Sequence, residues 1–171
     1  MTDYKNKIRY HQPGLVGEHY RGDAGQLILL ILFLAVWTTD TLIWHYSTFL
    51  NEVVPLYIRI PAAMLVGATG FYLAKVGMRL VFGTKHEQPE LITNSVFRIV
   101  RHPIYLGAIL FYPGMILLSI SLSATVVWIV IIVFYYFLSR FEEKLLIATF
   151  GEAYHAYKKR VPMLFPRPRI Y

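Results

Sequence analysis

The chain contains no cysteine. That excludes disulfides, thiolate metal sites and a cysteine nucleophile. Charge is also scarce: Asp, Glu, Lys and Arg make up 16% of the 171 residues, and only 10 of them are acidic. A soluble surface needs more. The six histidines show neither HxH nor HxxxH spacing, which speaks against a histidine metal cluster. No glycine-rich phosphate loop and no GxSxG nucleophile elbow occurs. The opening "MTDYKNKIRYHQPGLVGEHYRGDAGQ" is polar and lacks the apolar core of a signal peptide. No internal repeat is visible.

What is abundant is grease. Hydrophobic residues reach 56% and the mean hydropathy is +0.48. This predicts one all-α integral membrane domain over 1–171, with about four transmembrane helices. A polar arm, 1–26, precedes spans at 27–50, 60–82, 104–120 and 124–138. At ~1.5 Å per residue the first two suffice for a ~30 Å hydrocarbon core. Gly67 and Gly70 give the second span a small-residue face for close helix packing. Lys75 and Arg79 snorkel toward the interface. The last two spans are short arms separated by the uncharged "SLS" at 121–123, a tight hairpin. Pro113-Gly114 predicts a kink in the first arm. The second arm continues in helical register to Gly151, and 139–171 forms a cytoplasmic helical segment.

The net charge is +7. With four spans, both termini lie on one side, and of the 17 Lys and Arg only Arg59 falls on the other. The positive-inside rule makes the charged side cytoplasmic, so the termini are cytoplasmic and a prokaryotic host would hold the protein in its plasma (inner) membrane. That asymmetry explains the basic pI without nucleic acid.

The hairpin arms match in length. His102 to Ser121 is 19 residues and Ser121 to Glu142 is 21, ~29 and ~32 Å of helix. Folding back therefore brings "RHPIY" (Arg101, His102, Pro103, Ile104, Tyr105) level with Glu142 and Glu143. One side offers cations and a ring donor, the other two carboxylates. Pro103 suits a first helical turn, and the free N–H groups there favour an anion. Together they predict a polar pocket under apolar helices for a ligand with charges of both signs. Taken singly, each motif also reads as ordinary membrane anchoring.

"RHPIYLG", followed about forty residues later by "EEKLLIATFGEAYHAYKKRVP", resembles the integral-membrane methyltransferases typified by isoprenylcysteine carboxyl methyltransferase, with phospholipid methyltransferases as relatives. The likeness covers roughly 89–165. It implies S-adenosyl-L-methionine as methyl donor and a lipophilic small molecule or lipid entering from the bilayer as acceptor. The implied cofactor contacts are Pro89, Glu90, Leu91, Ile92, His102, Pro103, Ile104, Tyr105 and Glu142; Arg101, a cation for the donor carboxylate, and Glu143, beside Glu142, join the candidate set by charge and position. No metal is implied.

Two positions depart from that family. Phe97 stands where a tyrosine is expected. Leu138 stands where prenylcysteine enzymes place a substrate-binding arginine. Arg140, the nearest arginine, is a possible acceptor contact but is offset by two residues, about 200° around a helix. An NADPH-dependent reductase of the sterol type and a non-catalytic membrane adaptor are the competing readings. "LGAIL" after the motif, without an acidic residue, speaks against the reductase. Asp40 inside the first span is open to function, paired with His45 or lining a cavity. The alternative places both near the far interface in an aromatic belt of Trp37, Trp44 and Tyr46. Tyr154 and Tyr157 are expected to pack the tail onto the domain.

Overall fold

A computed structural model of the protein describes residues 20–83 and 90–166. It is all-helical over these residues, with five α-helices and no strand. Three helices are long and apolar enough to cross a membrane: Gly22–Trp44, Leu56–Phe82 and Leu122–Phe150. The helix Pro103–Ser119 is apolar but shorter. Such helices mark an integral membrane protein.

Helix α1, Tyr20–Thr38, begins seven residues before the apolar run. Residues 20–26, expected in the polar arm, form its first turns. Near the other end Thr38 and Thr39 hydroxyls donate to the carbonyls of Leu34 and Ala35, at 2.6 and 2.7 Å. Such back-bonding competes with the helical ladder. The chain widens there into a π-helical turn, Thr39–Trp44, and ends at His45 in a left-handed conformation. The first span therefore stops near 44 rather than 50. A 3₁₀ turn, Phe49–Glu52, leads into α2, Leu56–Phe82.

Helix α2 pairs intimately with α3, Pro103–Ser119. A methyl group built on Gly107 would lie 2.5 Å from the Gly70 carbonyl oxygen, and one on Gly70 would lie 2.8 Å from that of Gly107. Nothing lies within 4 Å of a methyl on Gly67. Of the two expected contact glycines, Gly70 makes the close approach. Helix α3 runs through Pro113 to Ser119 and closes at Ile120, φ +39°.

Ser121 then caps helix α4, Leu122–Phe150, accepting from Ala124 N at 3.2 Å. The hairpin turn thus lies at 120–121, one residue earlier than "SLS". Asp40 locks it. This carboxylate is 1% exposed and accepts from Ser47 N at 3.1 Å, Ser123 Oγ at 2.8 Å, and the hydroxyls of Ser47 and Ser121. Asp40 is a structural latch with satisfied hydrogen bonds; the exposed His45 meets it through the backbone, His45 N donating to Asp40 O at 2.9 Å. Trp44 and Tyr46 are exposed nearby, whereas Trp37 turns inward to donate to Met115 O at 3.2 Å.

Helix α1 lies against α4, and Gly25 leaves room for Phe134, whose Cζ would be 2.7 Å from a methyl there. Gly151 ends α4 at φ +52°, ψ −125°, a region that side chains disfavour. The chain then reverses into α5, Glu152–Arg160. Tyr154, Tyr157 and Val161 are buried against Leu91, Leu146, Ile147 and Phe150.

Candidate functional site

The head of α3 is held by the segment after α5. Arg101 N donates to Pro162 O at 2.9 Å and His102 N to Met163 O at 3.2 Å. These amides are therefore committed to carbonyls and not open to an anion. The Arg101 guanidinium is committed too. Its Nε donates to Glu143 Oε1 at 2.7 Å, and its Nη1 donates to Lys158 O at 3.0 Å and Val161 O at 2.5 Å. Lys158 Nζ approaches the other Glu143 oxygen at 2.9 Å. Glu143 is 2% exposed, so this buried pair fastens α4, α5 and the α3 head together.

Glu142 points elsewhere, because neighbours on a helix differ by about 100°. The Tyr105 hydroxyl donates to Glu142 Oε1. His102 Nδ1 lies 3.5 Å from Glu142 Oε2, and its Nε2 lies 3.7 Å from Glu143 Oε1. The rings of His102 and Tyr105 stack, centroids 5.6 Å apart and 3° from parallel. Burial alone would lower the His102 pKa; hydrogen bonding and charge from Glu142 and Glu143 raise it above its ordinary value. The imidazole thus lies between two carboxylates that favour its protonated form.

Beside this group opens a cavity of about 310 Å³, the size of small-molecule sites. Of the residues singled out from sequence, Glu90, Leu91, Ile92, Arg101, His102, Pro103, Ile104, Tyr105 and Glu142 line it. Glu143 does not; it serves the anchor behind. Pro89 lies outside the described residues. Arg140 does not line this cavity but a second groove across α4. Leu138 sits over Gly22, where a methyl would meet its Cδ1 at 3.0 Å. Phe97 also lines the cavity, and its carbonyl accepts from Tyr157 OH at 2.6 Å.

Other lining residues were not anticipated. Asp23 and Gln26 enter from the first turns of α1, and Met78, Val81 and Phe82 from the end of α2. Leu146, Phe150, Tyr154 and Tyr157 complete the wall. The signal for Asp23 was present: an acid two residues before Gly25, within one turn of the apolar run. Burial pushes the Tyr154 and Tyr157 phenols up, so both stay protonated.

Three carboxylates, Asp23, Glu90 and Glu142, line the cavity, and among the described residues His102 and an Arg101 already paired with Glu143 stand beside them. Among the described residues no group of three or more His, Asp or Glu has the arrangement of a metal site.

An all-helical membrane protein with an acidic small-molecule cavity at the mouth of a helical hairpin is the class these features define. The chain belongs to the phospholipid methyltransferase family, whose sequence model matches residues 53–153. It is 32% identical to methanethiol S-methyltransferase 2 of Bradyrhizobium diazoefficiens, over 82% of this chain and 56% of that protein. It is 28% identical to methanethiol S-methyltransferase of Crocosphaera subtropica, over 92% and 54%. A similar enzyme name belongs to a Pseudomonas deceptionensis protein, 25% identical over 85% and 58%. The chain spans about half the length of these curated relatives. No solved structure matches.

Proposed function

We propose that this protein transfers a methyl group from S-adenosyl-L-methionine to a small lipophilic acceptor that reaches the cavity from the bilayer. The observation that carries this reading is Glu142, held by the Tyr105 hydroxyl at the wall of a cavity that Asp23 also lines. The donor bears a sulfonium, an ammonium and one carboxylate, a net positive charge that suits these two acids. NADPH carries several phosphates and would meet the same two acids, so the reductase reading is disfavoured on electrostatic grounds.

When bound, the donor supplies an electrophilic methyl group on sulfur. The chain's residues then have three tasks. Glu142, oriented by Tyr105 and His102, balances positive charge and is placed to take a proton from an acceptor. The His102 imidazolium offers the donor carboxylate a cationic partner. Met78, Val81, Phe82, Ile104 and Leu146 exclude water, which favours displacement at a sulfonium.

For the acceptor, the names of the relatives favour a small thiol over an isoprenoid acid, a fatty acid or a phospholipid amine. The placement of α4 agrees: only Glu142, Leu146 and Phe150 of that helix line the cavity, so it offers no cation to an acceptor carboxylate. We further propose that α3 is a short fourth span, with both termini, the 139–171 segment and the cavity on the cytoplasmic side. Arg59 supports this at the opposite end, where it donates to Leu118 O at 2.9 Å. The test is purified protein incubated with labelled S-adenosyl-L-methionine and either methanethiol or extracted lipids. Labelled dimethyl sulfide is the expected product. Binding of NADPH without binding of the methyl donor would overturn the reading.

A further inference from the structure

On the side of α4 away from the cavity lies a groove of about 850 Å³. Its charged lining is Arg98, Arg140, Lys158, Lys159 and Arg160, with Arg101 and Glu143 at the back. Glu143 is neutralised by Arg101 and Lys158. Arg98, Arg140 and Lys159 are exposed, and none has an acidic partner among the described residues. A concave surface lined by several like charges focuses a positive potential that draws anions to it.

An apolar track leads up to these cations. Val126, Ile129, Val130, Val133, Tyr136 and Phe137 are all 43–66% exposed on α4. Their spacing of three and four residues puts them on one helical stripe. Arg140 is the next position on it, three residues beyond Phe137. From Val126 to Arg140 is 14 residues, ~21 Å of helix, enough to underlie an acyl chain in one leaflet of a ~30 Å core.

We infer that this groove binds the phosphate headgroup of an anionic phospholipid, whose acyl chain lies along the Val126–Phe137 stripe. A free phosphate would use the cations but not the stripe. An acidic peptide would have no use for a track running into the hydrocarbon. The lipid uses both, and clustered Lys and Arg at the membrane surface attract anionic headgroups. The inference does not rest on the methyl donor, although Arg101 lines both this groove and the cavity.

The test is native mass spectrometry of the purified full chain after exchange into mixed micelles containing phosphatidylglycerol or phosphatidylcholine. The wild type should retain at least one phosphatidylglycerol with about tenfold preference over phosphatidylcholine. Arg140→Gln with Lys159→Gln should abolish that preference. Lys75→Gln with Arg79→Gln, which removes the same charge on α2 outside the groove, should keep it. The mutated positions are exposed, and a retained thermal midpoint shows that each variant is folded. Equal retention of both lipids by the wild type would overturn the inference. So would an unchanged preference in the groove variant, loss in the α2 control, or displacement of the lipid by millimolar inorganic phosphate or an acidic peptide.

Discussion

Arg101 and Glu143, 42 residues apart, are joined inside the protein by two contacts to one carboxylate oxygen, from Nε at 2.7 Å and Nη2 at 2.5 Å. Their side chains are 7% and 2% exposed. Adjacent Glu142 faces the cavity. Two neighbouring carboxylates thus have different places, one joining helices and one lining the cavity.

Removing one partner of a buried ion pair strands the other charge, at a cost of about 3–5 kcal/mol. Glu143→Ala should therefore lower the thermal midpoint in detergent strongly. Glu142→Ala should lower it far less. Equal effects, followed by fluorescence-detected size exclusion on heating, would contradict this division.

Ligand binding should show the opposite pattern. Glu142→Gln removes a carboxylate facing a cationic ligand, and loss of a charged hydrogen bond is worth about 1.5–3 kcal/mol. Calorimetric affinity for S-adenosyl-L-methionine should fall roughly 10- to 100-fold by that measure. Asp23→Asn should also weaken it. Unchanged affinity in both folded variants would remove the acidic wall from the site.

The raised pKa of His102 gives stability a pH dependence. Its unfolded value is the ordinary 6.5, and its folded value is higher, so the native state holds the proton more tightly. The stabilisation is fully present below about pH 6.5 and is lost as pH rises through the folded pKa. Thermal midpoints should fall toward alkaline pH across that window, and His102→Asn should flatten the curve. A wild-type profile that rises with pH there, or a slope unaltered by the substitution, would count against the carboxylate-bound imidazolium.

Glycines on α2 and α3 are unequal. Gly107→Ala places a methyl 2.5 Å from the Gly70 carbonyl oxygen and 2.8 Å from Ala74 Cβ. Backbone must shift, and overpacking of this kind costs about 1–3 kcal/mol. Gly67→Ala meets nothing within 4 Å and should be nearly neutral. Thermal unfolding of the two variants side by side checks the contrast.

Much of this arrangement was legible before any coordinates. Apolar runs marked the long helices, and the equal arms flanking Ser121 were enough to bring His102 level with Glu142. What sequence left unresolved was rotation. "EE" shows two acids but not that about 100° of helical turn sends one to the cavity and the other into an anchor. For Arg140 the rotation was legible: two residues, about 200°, from the family position, it lies across the helix in the second groove. The start of α1 was hidden because Asp23 and Gln26 are polar, and hydropathy marks where a helix becomes greasy rather than where it begins. Asp40 stood between a functional and an interfacial reading for want of a visible partner; three serines distant in sequence, or across a turn, supply the hydrogen bonds.

The carbonyls of Pro162 and Met163 hold the amides of Arg101 and His102. These two bonds join the head of α3 to a segment some sixty residues further along the chain, so the mouth of the hairpin closes only when the stretch after α5 folds back onto it. Cutting the chain after Arg160 would leave the Arg101 guanidinium its Glu143 and Lys158 partners but strip the two amides of their acceptors, a lesion at the mouth of the hairpin rather than in its arms.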